Sequence, residues 1–435
     1  MMISSKRFSL ILFLVQVIVS KSSTTRSATP PRGAYIHIPF CRRRCYYCDF
    51  PIKVVGNGYK TDSFEPYVDL IHKEISYSVL NTNNISPLET IYFGGGTPSL
   101  LPPHHIQSIL RTIQMNIGIL PECEITIEID PGTFDKSTLS SWLDIGINRF
   151  SLGIQSFDDW ILEKAGRSHR RVDIDSSLQI LRAVNSDINY SIDLISGLPY
   201  LSMDTWRSTL ELASRSGASH ISIYDLQIEE KTAFGRWYKD RIGEYPLPSE
   251  DDAILMYETA VEILQSKNFE HYEISNYAVP GRRSRHNQLY WTCSPTWGFG
   301  MSAASYTNGI RMSRPKTMDA YRAWIDHLVD VGYEALNEEC LEGLNIEDAM
   351  IDKIQERIML ALRTSDGLDL TRLDTELGFN VSEKILKGCA PYLTDGSALH
   401  SIGHGDGSSV LRLSDPKGFL ISNEIISSIF VSLTG

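Results

Sequence analysis

Cys41, Cys45 and Cys48 stand close together in the run Phe40-Cys41-Arg42-Arg43-Arg44-Cys45-Tyr46-Tyr47-Cys48-Asp49-Phe50. The C-x3-C-x2-C spacing puts three thiolates on one short loop. Three are too few to close a four-coordinate metal site. They suit three corners of a cube-shaped iron–sulfur cluster, whose remaining iron stays open to a small molecule. A zinc site completed by His37 or Asp49 is the alternative, but structural zinc usually recruits paired C-x2-C knuckles and the sequence has no second pair. Arg42, Arg43 and Arg44 would lower thiolate pKa values and offset a negative cluster, or else form a solvated basic loop.

A second group of residues, Gly94-Gly95-Gly96-Thr97-Pro98, follows a candidate strand and leaves backbone bare for close approach by a ligand. The elements that must position both groups form a repeating pattern. Strand candidates are Ala34 to Ile38, Thr90 to Phe93, Glu124 to Ile129, Arg149 to Ile154, Tyr190 to Leu194 and His220 to Tyr224. Helix-like segments alternate with them, from Phe64 to Leu80 through Thr205 to Arg215. This alternation predicts an α/β fold with a parallel sheet and right-handed crossovers, a partial (β/α)6 barrel. Each strand candidate ends in, or is soon followed by, a distinctive group: Cys41, Gly94 to Gly96, Glu128, Gln155, Asp193 and Asp225. In parallel α/β barrels chemistry gathers at the C-terminal strand ends, so these groups are expected to face one cavity.

Ser249 to Lys267 reads as a long helix with an acidic first turn. Phe269 to Ala304 is rich in aromatics, Asn, Gly and Ser and reads as ordered loop. Beyond Met318, short helices and a hairpin near His400 to Leu413 predict a smaller C-terminal α+β domain, with a winged helix as one candidate.

The chain has 435 residues, an apolar fraction of 42% and a net charge of −12, which supports a sizeable core and argues against sequence-independent nucleic-acid binding. Its remaining cysteines, Cys123, Cys293, Cys340 and Cys389, are scattered, unlike a disulfide framework, so a reduced compartment is expected. The first 30 residues read as an address: Lys6 and Arg7 precede the apolar run Phe8 to Val19, and a basic, Ser/Thr-rich, acid-free stretch follows. A plastid reached through the secretory route suits this pattern, with a mitochondrial presequence as the rival and the cytoplasm as fallback. No other stretch is apolar enough to span a membrane.

The cysteine loop, the glycine turn and the strand-end groups together resemble the radical S-adenosylmethionine (SAM) superfamily. The run Tyr35-Ile36-His37-Ile38-Pro39-Phe40-Cys41 resembles its anaerobic coproporphyrinogen III oxidase family, which includes a HemW-like heme chaperone subgroup. The resemblance runs from about Gly33 to the C-terminus. It implies a radical SAM core over residues 31–267 and a HemN-type region over 268–435. It implies that Cys41, Cys45 and Cys48 hold a [4Fe-4S] cluster whose open iron chelates S-adenosyl-L-methionine, and that an electron from the cluster releases a 5′-deoxyadenosyl radical. Tyr35 and Tyr47 would lie against the nucleotide. Gly95, Gly96 and Thr97 would bind its amino group, and Glu128, Gln155, Arg167 and Asp193 its amino-acid and ribose parts.

Position 50 divides the family. The oxidase branch carries a fourth cysteine there, and this chain has Phe50. The run His286-Asn287-Gln288-Leu289-Tyr290-Trp291 resembles the heme-contact motif of the chaperone subgroup: His286 would ligate iron, with Asn287, Tyr290 and Trp291 against the macrocycle. His271 and His37 are alternative ligands. The resemblance thus implies a heme chaperone that passes heme to an acceptor protein and draws electrons from a donor, neither of which it identifies. A coproporphyrinogen III dehydrogenase is the rival.

Overall fold

The computed structural model describes residues 29–434 apart from 59–60, 81, 83, 186, 342–345 and 404–406. The expected targeting segment falls almost wholly outside the described residues, as does the centre of the glycine-rich hairpin turn at 404–406. Two compact units are present, one from Pro30 to Cys340 without Trp291–Cys293, the other centred on Leu341 onward.

The first unit is built on strands β1 (Gly33–Ile38), β2 (Leu88–Gly95), β3 (Ile119–Ile129), β4 (Arg149–Gln155), β5 (Tyr190–Ser196) and β6 (His220–Asp225). Each pairs in parallel with the next in sequence. Helices α1 (Glu65–Ser78), α2 (Pro103–Asn116), α3 (Lys136–Asp144), α4 (Asp159–Lys164), α5 (Arg171–Val184) and α6 (Met203–Ser214) supply the crossovers. The strands are nearly all buried, as expected for a parallel sheet covered on both faces, while each helix buries one stripe, such as Ile106, Ile109, Leu110 and Ile113 of α2. Local chemistry sets the helix starts: Asp135, Asp158 and Ser202 each accept a backbone N–H of the first turn.

Residues 269–304 are not a loop. After α7 (Ala233–Tyr238) and α8 (Glu250–Ser266) they form β7 (Glu270–Glu273), β8 (Asn276–Ala278), α9 (Arg285–Trp291) and β9 (Thr296–Phe299), followed by β10 (Ala304–Thr307) and β11 (Ile310–Ser313). β9 adds in parallel to the free edge of β1, and β8 adds antiparallel to the free edge of β6. β10 and β11 extend one margin and β7 the other, giving a sheet of 11 strands. The six-stranded core would otherwise expose two open edges, and these short strands cover them. The compact unit therefore runs to Cys340, beyond the 31–267 span expected for the core. Strands of three or four residues are too short to carry a readable alternation, and Gly298 is needed because a Cβ there would meet the Ala304 carbonyl oxygen at 2.3 Å.

An ion pair fastens this addition to the core. Glu74 of α1 and Arg314 are both fully buried, with Nε 2.6 Å from Oε1. Glu74 also accepts from the Gly300 N–H at 2.7 Å and the Tyr321 hydroxyl at 2.5 Å. Arg314 further lies over the Trp324 ring, 4.9 Å from its centroid.

The second unit runs helix α10 (Ile346–Ala361), strand β12 (Leu368–Asp369), helices α11 (Leu370–Leu377) and α12 (Ser382–Thr394), then the hairpin β13 (Ala398–Ile402) and β14 (Ser409–Leu413). The strand order β12-β14-β13 and this connectivity are those of a winged helix. Helix α13 (Ser422–Thr434) closes against Gly388, where a Cβ would meet the Ile429 Cα at 2.8 Å.

Removing one partner of a buried pair leaves the other charge uncompensated. Glu74→Ala is therefore expected to cost about 3–5 kcal/mol of unfolding free energy, read from urea denaturation of the whole chain. A loss under 1 kcal/mol, on that same scale, would show that the pair does not secure the added strands.

Candidate functional site

The cysteine loop leaves β1 and returns through a two-residue parallel pairing of Phe40–Cys41 with Lys53–Val54. Backbone bonds pin it at its middle: Tyr46 N–H donates to the Ala165 carbonyl at 3.0 Å, and Phe234 N–H to the Tyr46 carbonyl at 2.9 Å. Arg44 donates to the carbonyls of Cys48 and Phe50, at 3.1 and 3.0 Å. Cys41 is buried and Cys45 and Cys48 are half-buried. Burial pushes the Cys41 thiol up to about 12, against a smaller lowering by the Thr97 hydroxyl, and burial also raises Cys48. Such thiols ionise when a metal supplies the positive charge.

The donor set fits a cluster better than a zinc ion. The Thr97 hydroxyl lies 3.5 Å from Cys41 Sγ, and Arg167 Nη1 lies 3.4 Å from Cys45 Sγ, both donors of the kind a sulfur-rich anion requires. His37, a candidate fourth zinc ligand, is engaged at both ring nitrogens, by the Tyr35 hydroxyl at 3.1 Å and the Pro51 carbonyl at 3.2 Å.

The glycine turn presses directly under this loop. Gly96 and Thr97 N–H groups donate to the Ile38 and Phe40 carbonyls, each at 2.8 Å. A Cβ on Gly96 would meet the Phe40 carbonyl oxygen at 2.8 Å, and one on Gly95, whose φ is +117°, would enter the His37 ring at 2.5 Å. Glu128 sits beside the turn, accepting from Gly95 N–H at 2.9 Å and from the Tyr92 hydroxyl at 3.0 Å. Burial, then the nearby Asp193 charge, raises its carboxyl to about 7.

Arg167 joins the loop to the sheet. It pairs with Asp130, donates to the Gly153 carbonyl at 3.1 Å, and reaches the Tyr47 hydroxyl at 3.3 Å as well as Cys45. Burial works against the Asp130 charge, but Arg167 and His169 outweigh it and hold this carboxyl below its usual range. Asp193 accepts from the Ser151 hydroxyl at 2.8 Å through Oδ2, while its Oδ1 and the Gln155 Oε1 are buried without a partner. Gln155 holds a φ of +63°, a strained backbone typical of functional positions. Two orphaned acceptors in one place are the complement of a ligand bearing hydroxyl or amino donors.

Cys41, Gly95, Glu128, Gln155, Asp193 and Asp225 all line one cavity of about 670 Å³, together with the other two cysteines, Gly96, Thr97, Tyr47 and Arg167. Tyr35 does not line it. A Cβ on Gly94 would meet its ring at 2.8 Å, so Tyr35 lies beneath the glycine turn, with its hydroxyl 3.1 Å from His37 Nδ1. Asp130 and Ser151 also line the cavity and Tyr92 bonds Glu128, and none of the three stood out in the sequence. Asp130 was the findable one, an acid two residues beyond Glu128.

His286 to Tyr290 lie elsewhere in the same unit. Helix α9 carries it beneath the barrel: Glu124 accepts the His286 N–H at 3.0 Å, and a Cβ on Gly33, the first residue of β1, would come within 3.5 Å of His286 Nδ1. His286 is 1% exposed. Its Nδ1 is 2.8 Å from the Thr90 hydroxyl and its Nε2 2.9 Å from the Tyr290 hydroxyl. Burial, then the Arg149 charge, lowers its pKa to about 3, so the imidazole is neutral. Asn287 and Trp291 are half-buried, whereas Tyr290 is 36% exposed. His271 stacks on Tyr277 at 4.2 Å between centroids and is tied into the β7–β8 hairpin.

Residues 35–213 match the Radical SAM superfamily. Heme chaperone HemW of Synechocystis sp. is 39% identical, the alignment spanning 93% of this chain and 97% of that protein. HemW of Lactococcus lactis is 33% identical over 80% and 85%, and the mouse radical S-adenosyl methionine domain-containing protein 1, mitochondrial, 31% over 80% and 75%. Among solved structures, the Escherichia coli coproporphyrinogen III oxidase HemN, described as a radical SAM enzyme, superposes with a TM-score of 0.71 at 20% identity, covering 93% of this chain and 90% of its own; this is a likeness of fold.

Lysine in place of Arg167 keeps the charge but cannot reach Asp130, Gly153, Tyr47 and Cys45 at once. Arg167→Lys is expected to make a reconstituted cluster lose iron to a chelator at least about tenfold faster, the loss of about one charge-assisted hydrogen bond. An unchanged rate of bleaching of the cluster's visible absorbance would show that Arg167 does not secure the loop.

Proposed function

The chain belongs to the HemW family of the radical SAM superfamily, and on that premise we propose that it is a heme chaperone, binding heme and delivering it to an acceptor protein. Cys41, Cys45 and Cys48 would hold a [4Fe-4S] cluster, which when bound supplies single electrons. S-adenosyl-L-methionine would occupy the cavity beside it. Gly95, Gly96 and Thr97 would face its amino group, the partnerless acceptors of Gln155 and Asp193 would take its donors, and Arg167 and Glu128 would orient its charged ends.

The observation that carries the chaperone reading is the paired state of His286. Its ring nitrogens meet the Thr90 hydroxyl at Nδ1 and the Tyr290 hydroxyl at Nε2, and the tautomer that gives Nδ1–H to Thr90 would leave Nε2 to ligate iron. A histidine that ligates a metal commonly gives its other ring N–H to such a partner. A neutral imidazole needs no proton removed before it binds iron, and Tyr290 is the exposed side chain that must move aside. Asn287 and Trp291 lie on the same helix and would meet the macrocycle.

Phe50 supports chaperone over dehydrogenase. It is 64% exposed at the cavity wall, where the oxidase branch places a cysteine. His286→Ala should abolish the Soret shift on heme titration while leaving the cluster absorbance intact; an unchanged affinity refutes the ligand assignment. Anaerobic incubation of the cluster-loaded protein with dithionite, S-adenosylmethionine and coproporphyrinogen III should give no repeated turnover. Accumulation of protoporphyrinogen IX over many turnovers would establish the dehydrogenase instead.

The plastid is the proposed location. The basic, acid-free N-terminal stretch supports an organelle, and the 39% identity to a cyanobacterial protein, against 31% to a mitochondrial one, favours the plastid. The first 40 residues fused to a fluorescent reporter should follow chlorophyll fluorescence; a mitochondrial pattern would overturn the assignment.

A further inference from the structure

One strand touches both sites. The inward residues of β2 alternate as Thr90, Tyr92 and Gly94. At its lower end Thr90 holds His286 Nδ1 at 2.8 Å. At its upper end Gly95 N–H donates to Glu128 Oε2 at 2.9 Å. Between them stands Tyr92. Its ring stacks on His286, 5.2 Å between centroids with 29° between planes, and its hydroxyl donates to Glu128 Oε1 at 3.0 Å. Glu128 lines the nucleotide cavity, and His286 does not.

We propose that Tyr92 is a positioning residue that couples occupancy of the nucleotide cavity to the readiness of His286 to ligate heme. The inference rests on the assignment of His286 as the heme ligand. Both oxygens of Glu128 are spent on β2, one on the strand backbone and one on Tyr92. A cationic or hydroxyl-bearing ligand that recruits this carboxylate competes with the Tyr92 hydroxyl. The backbone donor is fixed by the glycine turn, so the tyrosine is the partner that yields.

The consequence reaches the other end of the ring. His286 is held on three sides: at Nδ1 by Thr90, at Nε2 by the Tyr290 hydroxyl, and on its face by Tyr92. Iron ligation requires Nε2 to leave Tyr290, and that turn is opposed by a Tyr92 ring clamped in place through Glu128. A bound nucleotide releases the clamp and favours heme. Linkage makes the effect reciprocal, so bound heme strengthens nucleotide binding by the same factor.

The test uses the full chain with its cluster reconstituted. Heme is titrated by its Soret band with and without saturating S-adenosylmethionine. Heme binding should tighten at least about 5-fold with nucleotide present, a typical size for a coupling of this kind. In Tyr92→Phe, which keeps the ring and loses the hydroxyl, the response to nucleotide should vanish. Thr90→Val should weaken heme binding yet keep the response, because the Tyr92–Glu128 bond survives. No response in the parent protein, an undiminished response in Tyr92→Phe, or its loss in Thr90→Val as well would each overturn the proposal. Heme binding lost in His286→Ala alongside an undiminished response in Tyr92→Phe refutes the coupling and leaves the ligand assignment standing. Heme binding retained in His286→Ala refutes the assignment itself.

Discussion

Arg167 is a buried cation with one carboxylate to neutralise it, and the upper end of the barrel is organised around that pair. Asp130 follows β3, Gly153 lies in β4, and Cys45 and Tyr47 belong to the loop after β1. A planar guanidinium can serve all of these at once because its donors point in fixed, divergent directions. The loop that carries the cysteines has little regular structure of its own. Its placement comes from this cation on one side and from the glycine turn on the other, where the Gly96 and Thr97 amides bond the carbonyls of Ile38 and Phe40.

That arrangement explains why the site tolerates so many awkward groups. Glu128 and Asp193 are buried acids with raised pKa values, and Asp193 and Gln155 each keep an acceptor without a partner. Left alone, such groups would cost stability. Facing a cavity, they become the complement of a polar, positively charged ligand. The parallel sheet makes this concentration possible, since every strand from β1 to β6 ends at the same rim.

The same strands have another end, and the chain uses it. α9 crosses beneath the barrel with its first N–H groups on Glu124 and with His286 against Thr90 and Tyr92. A cofactor cavity and a candidate heme ligand thus share β2 and β3 as common walls. The added strands β7 to β11 close the open margins of the sheet, and the buried Glu74–Arg314 pair holds the segment beyond β11 to the first helix of the barrel.

Much of this was legible from residue order. The six parallel strands were readable because each is long enough to show a β-branched run between amphipathic helices, and the meeting of the strand-end groups at one cavity because parallel strands of this topology end at a common rim. Cys41, Cys45 and Cys48 needed only their spacing. The edge strands were not readable: β8 has three residues, and its role is set by the vacant margin of β6, which no local pattern reports. Tyr35 and His286 show the same limit. Their identities were plain, but Tyr35 lies under Gly94 and not on the cavity wall, and His286 lies at the far end of the barrel from the cysteines. The sequence by itself determined the barrel, the three thiols and the ring of strand-end groups, because spacing along the chain dictates which atoms reach one rim. Only the tertiary structure decided which side chains share a partner, that Asp130 answers Arg167 and that Tyr92 touches both Glu128 and His286, because those contacts join residues far apart in sequence through strand register.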